Sequence, residues 1–430
     1  MDIRVNSTTL FGALACLLLV SSSGAQVPQT ELREHLAVQS FSPGELDTYW
    51  PPGEPPPETE FGYAVAIRDG VAVIGTPYGH GSGRVAVFNQ TANGWTRTAT
   101  LSSPDPTDVY FGSTIAYRDG LIIIGASTST HIFKRSNGVW KHFQRLTAPA
   151  ADQVVEFPMA VRYQDGMLFA SAYRGETLPS VVYYFTRNSS GKFVRRSTLA
   201  ASVHSERELF GTELSMTSTT LVVGSPRGER TRHRIFGVRN YAAGAAYVFR
   251  KNSQGNWIQA QKLSAPAQAA GFGTSVAIDR NMIIVGAPGE QVEGGVNGET
   301  PDGHAAGGAA YGFVPVNGHY AQAFRLRPSP DELYGYQEFG MSIAMFDKHI
   351  AIGAVSPYGA ISYLPSGQIV TYTRSGANLT PRGVARNHVV STSISLANNW
   401  LLVGSPWEDR CYYGCIGSAM LFDMNRYQPQ

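Results

Sequence analysis

Apolar residues in this chain come in paired short runs, alternating in the first run and continuous in the second. In "YAVAIRDGVAVIG" the first run ends at Ile67, Asp69-Gly70 follows, and the second closes on Gly75. Alternation predicts a strand with one buried face, and the denser run a strand buried on both. Asp-Gly between such runs is a strong hairpin signal, because the tight turn needs positive φ. The phrase recurs. A Phe-Gly opens it, and a Gly stands fourteen positions after the Phe: Phe61 and Gly75, Phe111 and Gly125, Phe210 and Gly224, Phe272 and Gly286, Phe339 and Gly353. Phe157-Pro158 and Val390-Ser391 open degenerate copies in the same phase, ending at Ser171-Ala172 and Gly404-Ser405.

Each copy continues through a variable loop into a third apolar run, such as "GRVAVF", "GAAYVF" or "GSAMLF". A turn and an aromatic residue follow (Trp95, Trp140, Trp257, Tyr320), then a Leu before a Ser/Ala/Pro linker: Leu101, Leu146, Leu199, Leu263, Leu326. Four short antiparallel strands per copy and no helical period predict an all-β, seven-bladed β-propeller. A stacked β-solenoid would call for shorter repeats. The seventh copy lacks a fourth strand, and "TELREHLAVQS" stands alone before Phe61. A strand at about residues 30–40, with Leu36 in the Leu position, is therefore expected to complete the last blade and leave no open edge.

These seven Phe-Gly phrases resemble the FG-GAP repeat of integrin-α-type N-terminal propellers, over about residues 30–427. The resemblance implies calcium in acid-rich first-to-second turns of the form D-x-D-x-D-G. Calcium takes about six to eight oxygens, but these turns read "RDG", "RDG", "QDG", "TST", "DRN", "FDK" and "ANN". One acid per turn cannot form that cage, so no metal or other cofactor is expected, and the Asp residues are read as turn formers.

The 430 residues suit a single repeat domain over 26–430. Net charge is +2 and charged residues are 15%, so no global field points to nucleic acid or an anionic membrane. Residues 1–25 read as a secretory signal. Arg4 precedes an apolar run over 10–20, and small residues at Ser23 and Ala25 place cleavage before Gln26. That run is shorter than the roughly 20 residues a spanning helix needs, and membrane insertion is not expected. Cys16 leaves with the signal. Cys411 and Cys415 remain and are expected to close a small disulfide loop in an oxidising compartment.

Propeller connectivity places the second-to-third loops and the inter-blade linkers on one face. The long loops there are the candidate site. Blade four offers Arg227, Arg230, Arg232, Arg234 and Arg239; blade five offers Glu290, Glu293, Glu299 and Asp302; blade seven offers Trp407, Tyr412 and Tyr413 beside the cysteines. The charged loops either pair with each other or meet a partner. Sequons at Asn89, Asn188 and Asn378 all fall at third-to-fourth turns, so glycans would coat the opposite face. Ser225 and Ser405 stand at repeat positions, and His80, His233 and His304 are scattered among loops, so no catalytic residues are expected. The sequence predicts a secreted binding or adhesion module for an extracellular protein or glycan. The alternatives are an integrin-like propeller lectin and an enzyme built on a propeller scaffold.

Overall fold

The computed structural model describes residues 33–34, 37–42, 60–79, 81–203, 208–230, 238–264, 266, 269–290, 307–327, 338–355, 367–387, 393–406 and 417–426. Of residues 33–34, 228–230, 238–241 and 386–387 it describes the backbone alone. The strands form seven sheets, one per Phe-Gly copy. Blades one to six run over residues 65–101, 114–147, 161–199, 214–264, 276–326 and 338–387, each four antiparallel strands in chain order from the channel outward. Blade seven takes three strands from 393–423 and its outer strand from Gln39–Phe41. The innermost strands follow one another around the whole ring. Blade seven meets blade one through the Ser393 and Ser395 hydroxyls, which accept from the Val65 and Ile67 amides at 3.0 Å.

The Phe-Gly phrase has a packing cause. Each Phe is buried, and in blades two to five its ring meets edge-on a tyrosine or histidine on the third strand of its own blade. Phe111 with His131, Phe157 with Tyr183, Phe210 with Tyr247 and Phe272 with Tyr311 all stand at 5.5–5.7 Å between ring centres. The Gly serves the next seam. The Gly closing the second strand of one blade lies against the Gly of Phe-Gly in the following blade: Gly75 on Gly112, Gly224 on Gly273, Gly286 on Gly340, Gly404 on Gly62. A Cβ at Gly75, Gly224, Gly286 or Gly404 would overlap the facing carbonyl oxygen. The degenerate copies use other small contacts: Gly125 meets Pro158, and Ser171 faces Gly211.

The hairpin turns adopt the predicted geometry, with φ 49° and 72° at Asp69-Gly70 and 53° and 68° at Asp119-Gly120. The Asp side chains lie beside arginines, Asp69 at 3.6 Å from Arg68 and Asp165 at 3.9 Å from Arg118, in keeping with their reading as turn formers.

Ring closure corrects one expectation. Leu36 lies outside the described residues, and the Leu position of blade seven belongs to Phe41. Phe41 pairs with Ala419 as Leu101 pairs with Val85 and Leu263 with Ala246. The closing strand thus sits five residues later than the Leu36 alignment implied. Gln39 repeats a device of other blades. Its side-chain amide donates to the Trp95 carbonyl at 2.9 Å and accepts from the Trp95 amide at 3.0 Å. Gln144 holds Phe193, and Gln261 holds Tyr320, in the same two-point fashion. Arg33–Glu34, just upstream, runs parallel to the outer strand of blade six as a fifth strand.

Candidate functional site

The face bearing the linkers and second-to-third loops is uneven. Blade two crosses it in a few residues, with the Ala126 amide donating to the Ser129 carbonyl. In blade four the second and third strands do not stop there. They continue as Thr220–Arg230 and Val238–Lys251 in one antiparallel ladder, with Arg227 opposite Ala242, Glu229 opposite Arg239 and Arg230 opposite Val238. The other blades' second strands end within one residue of the level of Ser225. Five further residues at about 3.3 Å each carry this ribbon roughly 16 Å beyond the face. Two register shifts, at 225/227 and 227/229, increase its local twist. The basic stretch read as a loop is therefore largely a two-stranded ribbon. Residues 226–241 hold five Arg and one Glu.

The structure places the other candidates as follows. Arg227 is exposed; Arg230 and Arg239 lie on the ribbon. Arg232, Arg234, Glu293, Asp302, Trp407, Tyr412, Tyr413, Cys411 and Cys415 lie outside the described residues, as do His80, His233 and His304 and the signal segment. Glu290 is a correction. It is not a surface acid facing blade four but is fully buried, engaged by the Tyr311 hydroxyl and by Arg325 and Arg327 of its own blade. It can present nothing to a partner. Ser225, within the long second strand of blade four, and Ser405, at the end of that of blade seven, are both buried. Asn188 and Asn378 are exposed and Asn89 half-buried, all at third-to-fourth hairpins on the opposite face.

Glu290 belongs to a motif the sequence reading missed. In blades two to five, one position on the third strand donates to a carboxylate, and a cation on the outer strand stands beside it. Tyr183 donates to Asp152 at 2.5 Å with Arg195 at 3.6 Å. Tyr247 donates to Glu208 at 2.8 Å with Lys262 at 3.9 Å. Burial and the neighbouring carboxylates push the Tyr183 and Tyr247 phenols well above their usual range, and burial pushes Tyr311 up to about 12. All three remain donors at any physiological pH.

Blade two substitutes His131. Its Nε2 lies 2.7 Å from Asp108, which also accepts from Ser103 at 2.6 Å and Ser129 at 2.7 Å and has Arg145 at 3.3 Å. Burial alone would raise the Asp108 pKa; the Ser103 and Ser129 hydroxyls and the adjacent imidazole outweigh it and hold the carboxyl below its usual range. Burial pulls His131 below the usual histidine range despite Asp108. Neutral His131 then donates from Nε2 and accepts at Nδ1 from His142 Nε2, at 3.1 Å. A serine, a histidine and an aspartate meet here, but not as a nucleophile chain. Ser129 and Asp108 sit on the same imidazole nitrogen, and the serine proton is held by Asp108. Nucleophilic catalysis needs the serine and the orienting acid on opposite nitrogens.

These groups predict an acid response. Burial lowers both His131 and His142, so the unfolded chain binds more protons below the ordinary histidine value of about 6.5. Stability is full above that value and falls as pH drops through it toward the folded pKa. The melting temperature is expected to fall between about pH 7.5 and pH 5.5. His131→Tyr, which installs the residue used by blades three to five, should show a smaller fall. An identical fall in that variant would assign the effect elsewhere.

The linkers also expose apolar side chains on this face. Tyr110 is 45% exposed, and its ring stands 5.1 Å from that of Tyr78 at the seam of blades one and two. Val155 and Val203 are exposed on the next two linkers.

Residues 257–313 match the sequence profile of the FG-GAP repeat. The copies in phase with that stretch form the seven blades of one β-propeller. No match is found among curated proteins. Among solved structures it is similar to the β-propeller domain of Cps50 (Swd1) from Myceliophteria thermophila, at 8% identity over 90% of this chain and 99% of that one, with a TM-score of 0.54. It is also similar to Saccharomyces cerevisiae Sqt1, at 8% identity over 91% and 99%, with a TM-score of 0.48. At such identity the likeness to Cps50 concerns the fold alone.

Proposed function

We propose that this propeller is a secreted binding module that recognises an extracellular protein or glycan through the face carrying the blade-four ribbon. An FG-GAP propeller is a rigid interaction scaffold, and specificity on such scaffolds resides in what projects from it. The ribbon is the observation that carries the reading. It is the longest projection among the described residues and concentrates arginine, a side chain enriched at interface hot spots. Trp407, Tyr412 and Tyr413, beside the proposed Cys411–Cys415 disulfide, would supply aromatic contacts on the same face. The three sequons support an orientation in which glycans cover the other side and leave this one bare.

A lectin with equal sites between blades would repeat an open pocket. In the constellation that does repeat, the tyrosine or histidine and its carboxylate are buried in three of the four copies, which favours one composite surface. The test is a glycan-array and cell-surface binding screen of the secreted protein beside a variant lacking residues 229–237. Removing several arginines from the contact is expected to weaken binding at least about tenfold and to flatten its salt dependence. Trp407→Ala should weaken it independently. Undiminished binding by the shortened protein would sink the assignment of this face.

A further inference from the structure

The seam between blades five and six, on the turn face, departs from an arrangement that blades two, three and four share. In blades two, three and four a cation at the end of the third strand covers the aromatic that starts the outer strand. Arg135 lies over Trp140 at 6.0 Å, Arg187 over Phe193 at 5.5 Å and Lys251 over Trp257 at 5.5 Å. In blade six the cation is kept as Arg374, but its ladder partner is Leu379. With no ring to cover, Arg374 turns across the seam. Nε donates to the Asp347 carbonyl at 2.7 Å, Nη1 to the Asp279 carbonyl at 3.0 Å, and Nη2 pairs with the Asp279 carboxylate. Its side chain is only 7% exposed. In blade five the corresponding position is Pro315, which carries no cation at all.

A cleft of about 320 Å³ opens where the plug is missing. Met282, Val314, Pro315 and Ala377 give it an apolar side; Arg280, Lys348 and Arg374 give it a basic one. Arg280 is paired with Asp347 and Arg374 with Asp279. Lys348 is exposed and has no partner among the described residues. Three cations against two carboxylates leave one positive charge. The volume sits at the lower end of small-molecule sites, about 300–1,000 Å³. We propose that this cleft binds a small organic monoanion, its carboxylate at Lys348 and its apolar part on Met282, Val314 and Pro315. A single net positive charge suits a monoanion better than a phosphate dianion. The site is separate from the ribbon face, and neither proposal depends on the other.

Benzoate, with benzamide as its uncharged isostere, is the probe, followed by calorimetry or ligand-observed NMR. The protein carries Asn378→Gln, since that sequon adjoins Ala377 at the rim. Benzoate is expected to bind at least about fivefold tighter than benzamide, the effect of one ion pair at a part-exposed site. Lys348→Ala should bring benzoate down to the benzamide value, and Ala377→Leu should weaken both by narrowing the mouth. Lys348 stands exposed on a turn, so its replacement leaves the core untouched. Equal affinity for the two probes, benzoate binding indifferent to Lys348→Ala, or no benzoate binding at millimolar concentration by a protein that melts normally would each overturn the proposal.

Discussion

Gly404→Ala is expected to destabilise the ring by at least about 3 kcal/mol, the upper end of what overpacking costs. The new methyl would overlap the Gly62 carbonyl oxygen and stand 3.0 Å from Val65. Both obstacles belong to the neighbouring blade, and one is backbone, so no side chain can swing aside to relieve the clash. Gly404 does not have a left-handed φ, which makes the substitution a test of space alone. The reference is Gly120→Ala, at φ 68° with nothing within 4 Å of the added atom; it should cost only the left-handed strain, about 1–2 kcal/mol. Thermal and urea unfolding of the two variants measure the difference. A Gly404→Ala protein as stable as Gly120→Ala would show that the seams are not packed through glycine.

The second large effect is expected at the closing strand. Phe41 is 2% exposed, and its ring lies 4.6 Å from that of Phe88 and 6.5 Å from Trp95, both in blade one. It bridges the last blade to the first. Phe41→Ala should cost about 3–5 kcal/mol, as for other buried aromatic truncations. Gln39→Ala removes the two-point clamp on Trp95 and should cost about 1–3 kcal/mol. The sites are two residues apart in one short strand, so the double variant is expected to be non-additive. Melting of Phe41→Ala within a degree or two of the parent protein would mean that Gln39–Phe41 does not seal the ring.

The fold was legible because its determinants sit at fixed spacing. Phe-Gly, the turn and the later Gly all lie within one blade and repeat in phase. The closing strand was found but misaligned, and the missed signal is visible afterwards: "QSFSPG" from Gln39 parallels "QRLTAP" from Gln144 and "QKLSAP" from Gln261. Blade seven has Phe where five blades have Leu, but it shares with blades two and four the Gln two positions earlier, whose amide pins the next blade. The parallel pairing of Arg33–Glu34 with blade six leaves no local trace, since no tight turn announces it. The buried carboxylates were illegible for a related reason. Asp108, Asp152 and Glu208 precede their Phe by different intervals, and Glu290 comes from another loop altogether. The ladder fixes where each phenol or imidazole points, and any nearby linker can supply the acid. The ribbon was read as a loop because its glycines and arginines lack alternation, whereas its pairing follows from continuing two strands already in register.

The partnership of Gln39 with Leu421 has a consequence for biosynthesis. Its first half leaves the ribosome long before its second half exists. At roughly 5–20 residues per second, the interval is on the order of 20–80 s. Through that time the early strand has no mate, and the nascent chain must be kept from joining a wrong edge or a neighbouring polypeptide.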